Sequence, residues 1–137
     1  MTHQLSFSSA YSYDPGKPGI ELPLNLGCGA VQICLAVKID TGASHCIFER
    51  RQGERLGLNI EQGISQRFET TTGGFQTYGH EVTLNVLGIE TTATVYFAAD
   101  EHFNRNVLGR VSWLDRVRLG LVDYDSRLYL SAYDDPA

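Results

Sequence analysis

The sequence predicts an all-β domain with one or two short helices. Apolar residues alternate with polar or small ones at positions 20–26 and again at 31–39, which is the period-two pattern of half-buried strands. Turn signals that contain glycine separate these runs and several later ones. A chain of 137 residues is long enough to bury the core of one domain.

Three segments are expected along the chain. Residues 1–19 form an N-terminal arm that ends in a stretch dense in proline, glycine and aspartate. Part of this arm, around Leu5 to Tyr11, is a candidate edge strand. The compact domain spans residues 20–132, and residues 133–137 are a C-terminal tail.

The first half of the domain is predicted to be a hairpin followed by a loop and a helix. Gly27 and Gly29 mark the turn between the first strand and the strand that runs to Asp40. After the loop, a short helix is expected from Ile47 to Leu56. Gly53 lies inside this helix and costs it about 1 kcal/mol relative to alanine.

The second half contains a hairpin at residues 67–78 that is rich in threonine and aromatic residues. Gly73 and Gly74 are placed at its tip, because two glycines suit a tight two-residue turn. The remaining predicted elements are strands at 81–86 and 91–98, an apolar loop at 107–109, a short amphipathic helix with Trp113 in the core, and strands at 117–124 and 128–132.

An internal repeat links the two halves. Residues 21–26 and 81–86 share the pattern Glu, aliphatic, any residue, Leu, Asn, aliphatic. Each is followed by a glycine turn, a returning strand and a loop that contains glycine. A duplicated strand–hairpin–strand unit is the interpretation that accounts for this order.

Composition narrows the functional classes. The formal net charge of −5 and the lack of a basic stripe argue against nucleic acid as a partner. No apolar run approaches the length of a membrane span, and the N-terminus has no signal-peptide pattern. Cys28, Cys34 and Cys46 lack paired metal spacing and are interpreted as reduced thiols. The sequence therefore predicts a cytoplasmic protein without a metal site, a cofactor or a membrane partner.

Three motifs in order resemble the retropepsin-like aspartic proteases, over residues 20–131. An Asp-Thr-Gly-Ala-Ser loop follows an apolar strand, a Gly-Gly-Phe hairpin comes next, and an aliphatic-Leu-Gly-Arg loop comes last. The C-terminal segment is more similar to bacterial members than to viral ones. The residues that carry the resemblance are Asp40, Thr41, Gly42, Ala43, Gly73, Gly74, Phe75, Val107, Leu108, Gly109 and Arg110.

The resemblance implies an acid protease barrel in which Asp40 is catalytic and residues 41–43 support its loop. In this family two carboxylates share one proton, because like charges about 3 Å apart cannot both ionise. This chain has one Asp-Thr-Gly, and none of its other aspartates precedes Thr-Gly or Ser-Gly. The second Asp40 is therefore expected from an identical chain in a two-fold homodimer. Gly73, Gly74 and Phe75 would belong to a flap that closes over an extended peptide.

Two alternatives stay open at this stage. In viral members an acidic residue often follows Asp-Thr-Gly-Ala and pairs with the arginine of the second loop, but Ser44 stands there in this chain. Glu49 and Asp115 are the candidate partners of Arg110.

The rival function is a non-catalytic module that keeps the same fold for dimerisation or peptide binding.

Overall fold

Ten strands form two sheets in the computed structural model, which describes residues 1–136. The strands are β1 (Ser9–Ser12), β2 (Glu21–Cys28), β3 (Val31–Ile39), β4 (Ile47–Phe48), β5 (Ile64–Thr70), β6 (Gly73–Val86), β7 (Ile89–Ala98), β8 (Val107–Leu108), β9 (Val117–Val122) and β10 (Arg127–Ala132). One α-helix, α1 (Arg50–Arg55), and three short 3-10 turns (Ile60–Gln62, Leu114–Arg116 and Asp123–Asp125) complete the described residues. The all-β prediction is confirmed.

The larger sheet closes on itself. Its strand order is β2-β3-β8-β4-β7-β6-β5, and β2 also pairs with β6. The pairing of β2 with β6 joins six strands into a ring, and β5 extends from β6 outside it. Leu22, Leu24 and Leu26 alternate inward along β2 and are at most 2% exposed. The alternation seen in the sequence therefore marks the barrel interior.

The repeated segments lie side by side in this barrel. β2 and β6 run antiparallel, and Asn25 of the first repeat faces Asn85 of the second. Because these two residues occupy the same place in each repeat, a local two-fold relation passes between them. The same relation holds farther on, where β8 pairs in parallel with β3 and β4 pairs in parallel with β7.

The smaller sheet has the order β1-β10-β9. β1 lies within the segment treated above as an arm, and it pairs antiparallel with β10 from Ser9 to Ser12. Next to it, the buried Tyr13 donates a hydrogen bond from its hydroxyl to Asp123. The backbone N–H of Ser8 donates to Oγ of Ser131 over 2.6 Å. These contacts hold the segment before residue 20 against the end of the chain.

The predicted helix from Ile47 to Leu56 is wrong in its first turn. Ile47 and Phe48 form β4, which pairs with β7, and both side chains are buried. Strand pairing and burial outweigh helix propensity there. The helix begins at Arg50, and Gly53 within it packs so closely that an added Cβ would lie 2.5 Å from Cδ1 of Ile60. The glycine thus permits close packing of α1 on the barrel.

The predicted amphipathic helix after the second loop is also wrong. A single 3-10 turn, Leu114–Arg116, occupies this place. Val117 already has extended backbone and pairs with Ala132 as the first residue of β9. The early start of β9 leaves no room for a longer helix. Trp113 is buried as expected, 2% exposed.

The tip of the 67–78 hairpin differs from the prediction by two residues. Thr70 pairs with Gly73, so the two-residue turn consists of Thr71 and Thr72. Oγ1 of Thr70 accepts from the backbone N–H of Thr72 over 3.3 Å and donates to the carbonyl of Gly73 over 2.6 Å. Gly73 has a φ of 125°, which suits glycine, but it starts β6. Threonine hydroxyls replace the expected glycine turn.

Candidate active site

The Asp40 loop follows directly from the barrel strand β3. The backbone N–H of Asp40 donates to the carbonyl of Leu108 over 3.0 Å, which fixes the loop to the neighbouring strand β8. The N–H of Ala43 donates to the carbonyl of Asp40 over 3.1 Å, and the N–H of Gly42 donates to Oδ1 of Asp40 over 3.0 Å. These bonds orient a half-buried carboxylate, with Thr41 exposed beside it.

The second loop, which contains Gly109 and Arg110, crosses the Asp40 loop, and the two are joined by backbone hydrogen bonds. The N–H groups of Arg110 and Val111 donate to the carbonyls of Ala43 and Ser44 over 2.9 Å and 2.8 Å. At the crossing, a Cβ on Gly109 would lie 2.2 Å from the carbonyl oxygen of His45. Only glycine allows this approach. The sequence motif Val-Leu-Gly-Arg therefore braces the Asp40 loop.

Cys46 lies below the crossing and is fully buried. The N–H of Gly109 donates to its sulfur over 3.4 Å. Burial raises the pKa of the Cys46 thiol to about 11, against a smaller lowering by the Gly109 hydrogen bond. The thiol therefore stays protonated near neutral pH and acts as packing. Cys28, Cys34 and Cys46 are all free.

Arg110 pairs with neither candidate carboxylate. Its side chain is exposed. Glu49 instead accepts hydrogen bonds from Asn106 and Gln52, and Asp115 accepts from the backbone N–H of Ser112 over 3.1 Å. Within residues 1–136 the structure shows no ion pair to Arg110.

An aromatic cluster joins the hairpin to the barrel rim. Phe68 and Phe75 face each other across β5 and β6, with ring centroids 5.9 Å apart. Phe75 also stacks on Phe103 at 5.0 Å, and Phe68 contacts His45 and Tyr96 at 5.2 Å and 5.4 Å. The rings therefore hold the hairpin above the Asp40 loop.

A pocket of about 240 Å³ lies between this cluster and the Asp40 loop. It is lined by Asp40, Gly42, Ala43, Ser44, Ile47, Phe68, Glu69, Thr70, Phe75, Phe103, Arg105 and Val107. Phe75 both packs within the hairpin and lines the pocket. Gly73, Gly74 and Arg110 are not among its lining residues.

Five of the twelve lining residues were named as site residues from the sequence, and the seven that were missed include Phe68, Phe103 and Arg105. Phe68 was recoverable, because correct pairing of the hairpin puts it opposite Phe75. Phe103 and Arg105 lie in the irregular segment before β8, where no periodicity marks side-chain direction.

Within residues 1–136, no group of three or more His, Cys, Asp or Glu side chains is placed to hold a metal ion. None of the helices in that range is both long and apolar enough to span a membrane.

Glu49 and Asn106 form a second brace close to the loops. Nδ2 of Asn106 donates to Oε1 of Glu49 over 2.7 Å, and the N–H of Glu49 donates to Oδ1 of Asn106 over 3.0 Å. The carbonyl of Asn106 accepts from the N–H of Lys38, two residues before Asp40. This reciprocal pair ties the start of α1 to the strands that carry both loops.

Replacing Asn106 with alanine should lower the free energy of unfolding at pH 7 by roughly 2 kcal/mol, because the backbone N–H of Glu49 loses its acceptor and the Glu49 carboxylate loses one of its hydrogen bonds. Burial alone would raise the pKa of Glu49, but hydrogen bonds from Asn106 and Gln52 and the charge of Arg51 outweigh it and lower that pKa. A lowered folded pKa stabilises the fold above the unfolded value, and this stabilisation is lost as pH falls through the folded value.

The difference between wild type and Asn106→Ala should therefore shrink below about pH 4, where glutamate side chains ordinarily become protonated. Urea unfolding at several pH values measures it. Asn104→Ala, at an exposed neighbouring position, is the matched control and should change stability little. Equal losses in the two variants would count against the brace.

Comparisons with known proteins identify the fold. The sequence matches no protein-family model and no curated protein. The structure of EIAV protease complexed with the inhibitor HBY-793 has a TM-score of 0.59, 19% identity, and covers 77% of this chain and 93% of that chain. A retropepsin-like aspartic protease from Rickettsia conorii has a TM-score of 0.64, 17% identity, and covers 90% and 97%. These values establish a shared fold, and the expected retropepsin-like barrel is confirmed.

Proposed function

We propose that this chain, which has the retropepsin fold, is an aspartic endopeptidase whose active centre forms between two identical copies. The observation that carries the proposal is the Asp40 carboxylate, oriented by Gly42 in a pocket below a hairpin. β3 leads into the Asp40 loop, the hairpin of β5 and β6 lines the pocket, and the second loop donates hydrogen bonds to the Asp40 loop. Fold alone does not give function, so the proposal depends on this site.

The need for two copies follows from the count of carboxylates. In the second repeat, residues 99–106 between β7 and β8 take the place of the Asp40 loop, and they contain no Asp-Thr-Gly. Their one aspartate, Asp100, accepts a hydrogen bond from the N–H of His102 and does not line the pocket. A two-fold axis near Asp40 would place the Asp40 carboxylate of a second copy beside the first. Thr41, exposed beside Asp40, would donate into the partner's loop, and Gly42 would contact the substrate backbone.

In the proposed reaction one Asp40 carboxylate takes a proton from water, and the water oxygen attacks the peptide carbonyl carbon. The other Asp40, protonated, donates its proton to the carbonyl oxygen as the C=O double bond opens. The tetrahedral diol then collapses: the Asp40 that took the proton from water donates it to the nitrogen as the C–N bond breaks, and a diol hydroxyl gives its proton to the other Asp40 as the new carbonyl forms. Two carboxyl groups thus supply both the base and the acid.

The hairpin of β5 and the first part of β6 is proposed to be the flap. Its Phe75 lies over the pocket that contains Asp40. Closure would exclude water and hold the substrate extended, with main-chain hydrogen bonds like those of an added strand. No metal or organic cofactor takes part in this proposal.

We also propose a cytoplasmic location, since three free thiols suit a reducing compartment. The acidic net charge supports peptide partners over nucleic acid.

An unfolded protein of known sequence is the direct test substrate. Incubation should release fragments with new internal termini, read by mass spectrometry, and a statine-type inhibitor should suppress them. Analytical ultracentrifugation should show a dimer at the concentrations that give activity. A dimer that binds peptides and releases no fragments would instead support the non-catalytic module.

A further inference from the structure

The pocket beside Asp40 has apolar walls and one cationic side chain on its lining. Phe68, Phe75 and Phe103 form a continuous aromatic wall, with neighbouring centroids 5.9 Å and 5.0 Å apart. Ile47 and Val107, both buried, complete the apolar surface. Among the described residues 1–136, Arg105 is the one basic side chain that lines this pocket.

The charge of Arg105 is not neutralised by the protein. Its side chain is exposed, and within residues 1–136 no carboxylate forms an ion pair with it. Two carboxylates of the described chain line the pocket, and one of them, Glu69, already pairs with Arg67 over 3.1 Å. Asp40 is the remaining carboxylate of the lining, and in the proposed dimer it shares one proton with its partner copy.

We propose that this pocket selects a glutamate-like side chain, with an apolar stem and a terminal carboxylate. The methylene groups lie against the phenyl rings, and the carboxylate accepts hydrogen bonds from the guanidinium of Arg105. Arg105 is thus a specificity-determining residue. The inference rests on the proposed function only in treating the pocket as part of a peptide-binding cleft.

The two-fold axis gives this selectivity a second property. Since each copy contributes the same pocket, the dimer presents it on both sides of the scissile bond. Asp40 itself lines the pocket, so the selected positions are close to that bond. An acidic residue should therefore be favoured at symmetry-related positions on the two sides.

Pairs of fluorogenic peptides that differ only by Glu or Gln test the proposal. Glu is placed in turn at each of the two positions on either side of the scissile bond. At the favoured positions, kcat/KM should be about tenfold higher for Glu than for Gln, the scale of a hydrogen-bonded charge pair. Arg105→Gln should remove this ratio, and Arg105→Glu should reverse it in favour of a Lys peptide over its Gln counterpart. Lys17→Gln removes the same charge outside the pocket and should preserve the ratio.

A binding measurement separates this inference from the proposed function. Fluorescence anisotropy with Asp40→Asn protein compares the Glu and Gln peptides without turnover. Tighter binding of the Glu peptide that is lost in Asp40→Asn/Arg105→Gln supports the pocket even if no peptide is cleaved. Equal binding of both peptides, or binding of neither, overturns it. A change in the pH profile of Arg105→Gln that is the same for Glu and Gln peptides would show that Arg105 acts on Asp40, and would also overturn it.

Discussion

Replacing Asp40 with asparagine should abolish peptide hydrolysis and leave the fold intact. Asparagine keeps the side-chain shape, and its oxygen can still accept from the N–H of Gly42, which is 3.0 Å from Oδ1 in the wild type. It cannot take a proton from water. Loss of one member of a catalytic unit typically costs a factor of about 10⁴ or more, so kcat/KM should fall by at least that amount. Progress curves with a peptide substrate, together with the melting temperature, measure both parts.

Mixing the two proteins gives a sharper result. If each active centre needs two Asp40 carboxylates, random exchange of equal amounts leaves about one quarter of the dimers fully wild type. Activity per wild-type chain should therefore fall by about half. Asp134→Asn, an exposed position, is the matched control and should leave activity unchanged when mixed. Activity that scales with wild-type protein alone would contradict a shared active centre.

Replacing Gly109 with alanine should cause the largest loss of stability among single substitutions in the site. The new Cβ would lie 2.2 Å from the carbonyl oxygen of His45 and 2.8 Å from that of Ala43. Both are backbone atoms and cannot swing aside. The loops would have to separate, weakening the bonds that Arg110 and Val111 donate across the crossing. Overpacking and these lost bonds together should cost about 3 to 4 kcal/mol.

Urea unfolding at a fixed protein concentration measures this loss, since the stability of the proposed dimer would depend on concentration. Gly27→Ala is the matched control. Gly27 is also buried in the barrel, but its added Cβ would meet Cγ of Gln32 at an ordinary 3.6 Å. That variant should change the free energy of unfolding by less than about 1 kcal/mol. Similar losses in both variants would show that the crossing carries no special constraint.

The strands of the barrel could be predicted because the alternation that marks each strand is local in the sequence and occurs in both repeats. Alternation along β2 marks the buried face directly, and the repeat predicts a second hairpin that indeed faces the first, Asn25 against Asn85. The failures arise where long-range contacts decide. Ile47 is as apolar as a helical core residue would be, and its pairing with Tyr96 and Val107 makes it a strand residue.

The sequence motifs of the candidate site could be predicted, but most residues that line its pocket could not. The Asp40 loop has a distinctive sequence, and the bonds that hold it join backbone atoms brought together by the fold. Phe103 and Arg105 carry no such signal, since a segment without regular structure has no period that fixes side-chain direction. Their place in the pocket follows from the course of the chain before β8.

The pairing of β6 changes along its length, and this should limit how far the hairpin of β5 and β6 can open. From Thr77 to Gly79 β6 is bonded on both sides, to β5 and β7, whereas Gly73 to Phe75 pair with β5 alone. Between them, the carbonyl of Gln76 accepts one bond from the N–H of Ala99, directly after β7. Thr77 is fully buried, and its Oγ1 donates to the carbonyl of Gln66 over 2.7 Å. Local opening should therefore stop at this threonine, with backbone amides nearer the tip exchanging with solvent deuterium far sooner than those beyond it. If the hairpin acts as the proposed flap, it should open as far as Thr77 once the ring contacts of Phe68 and Phe75 release, with the barrel still closed.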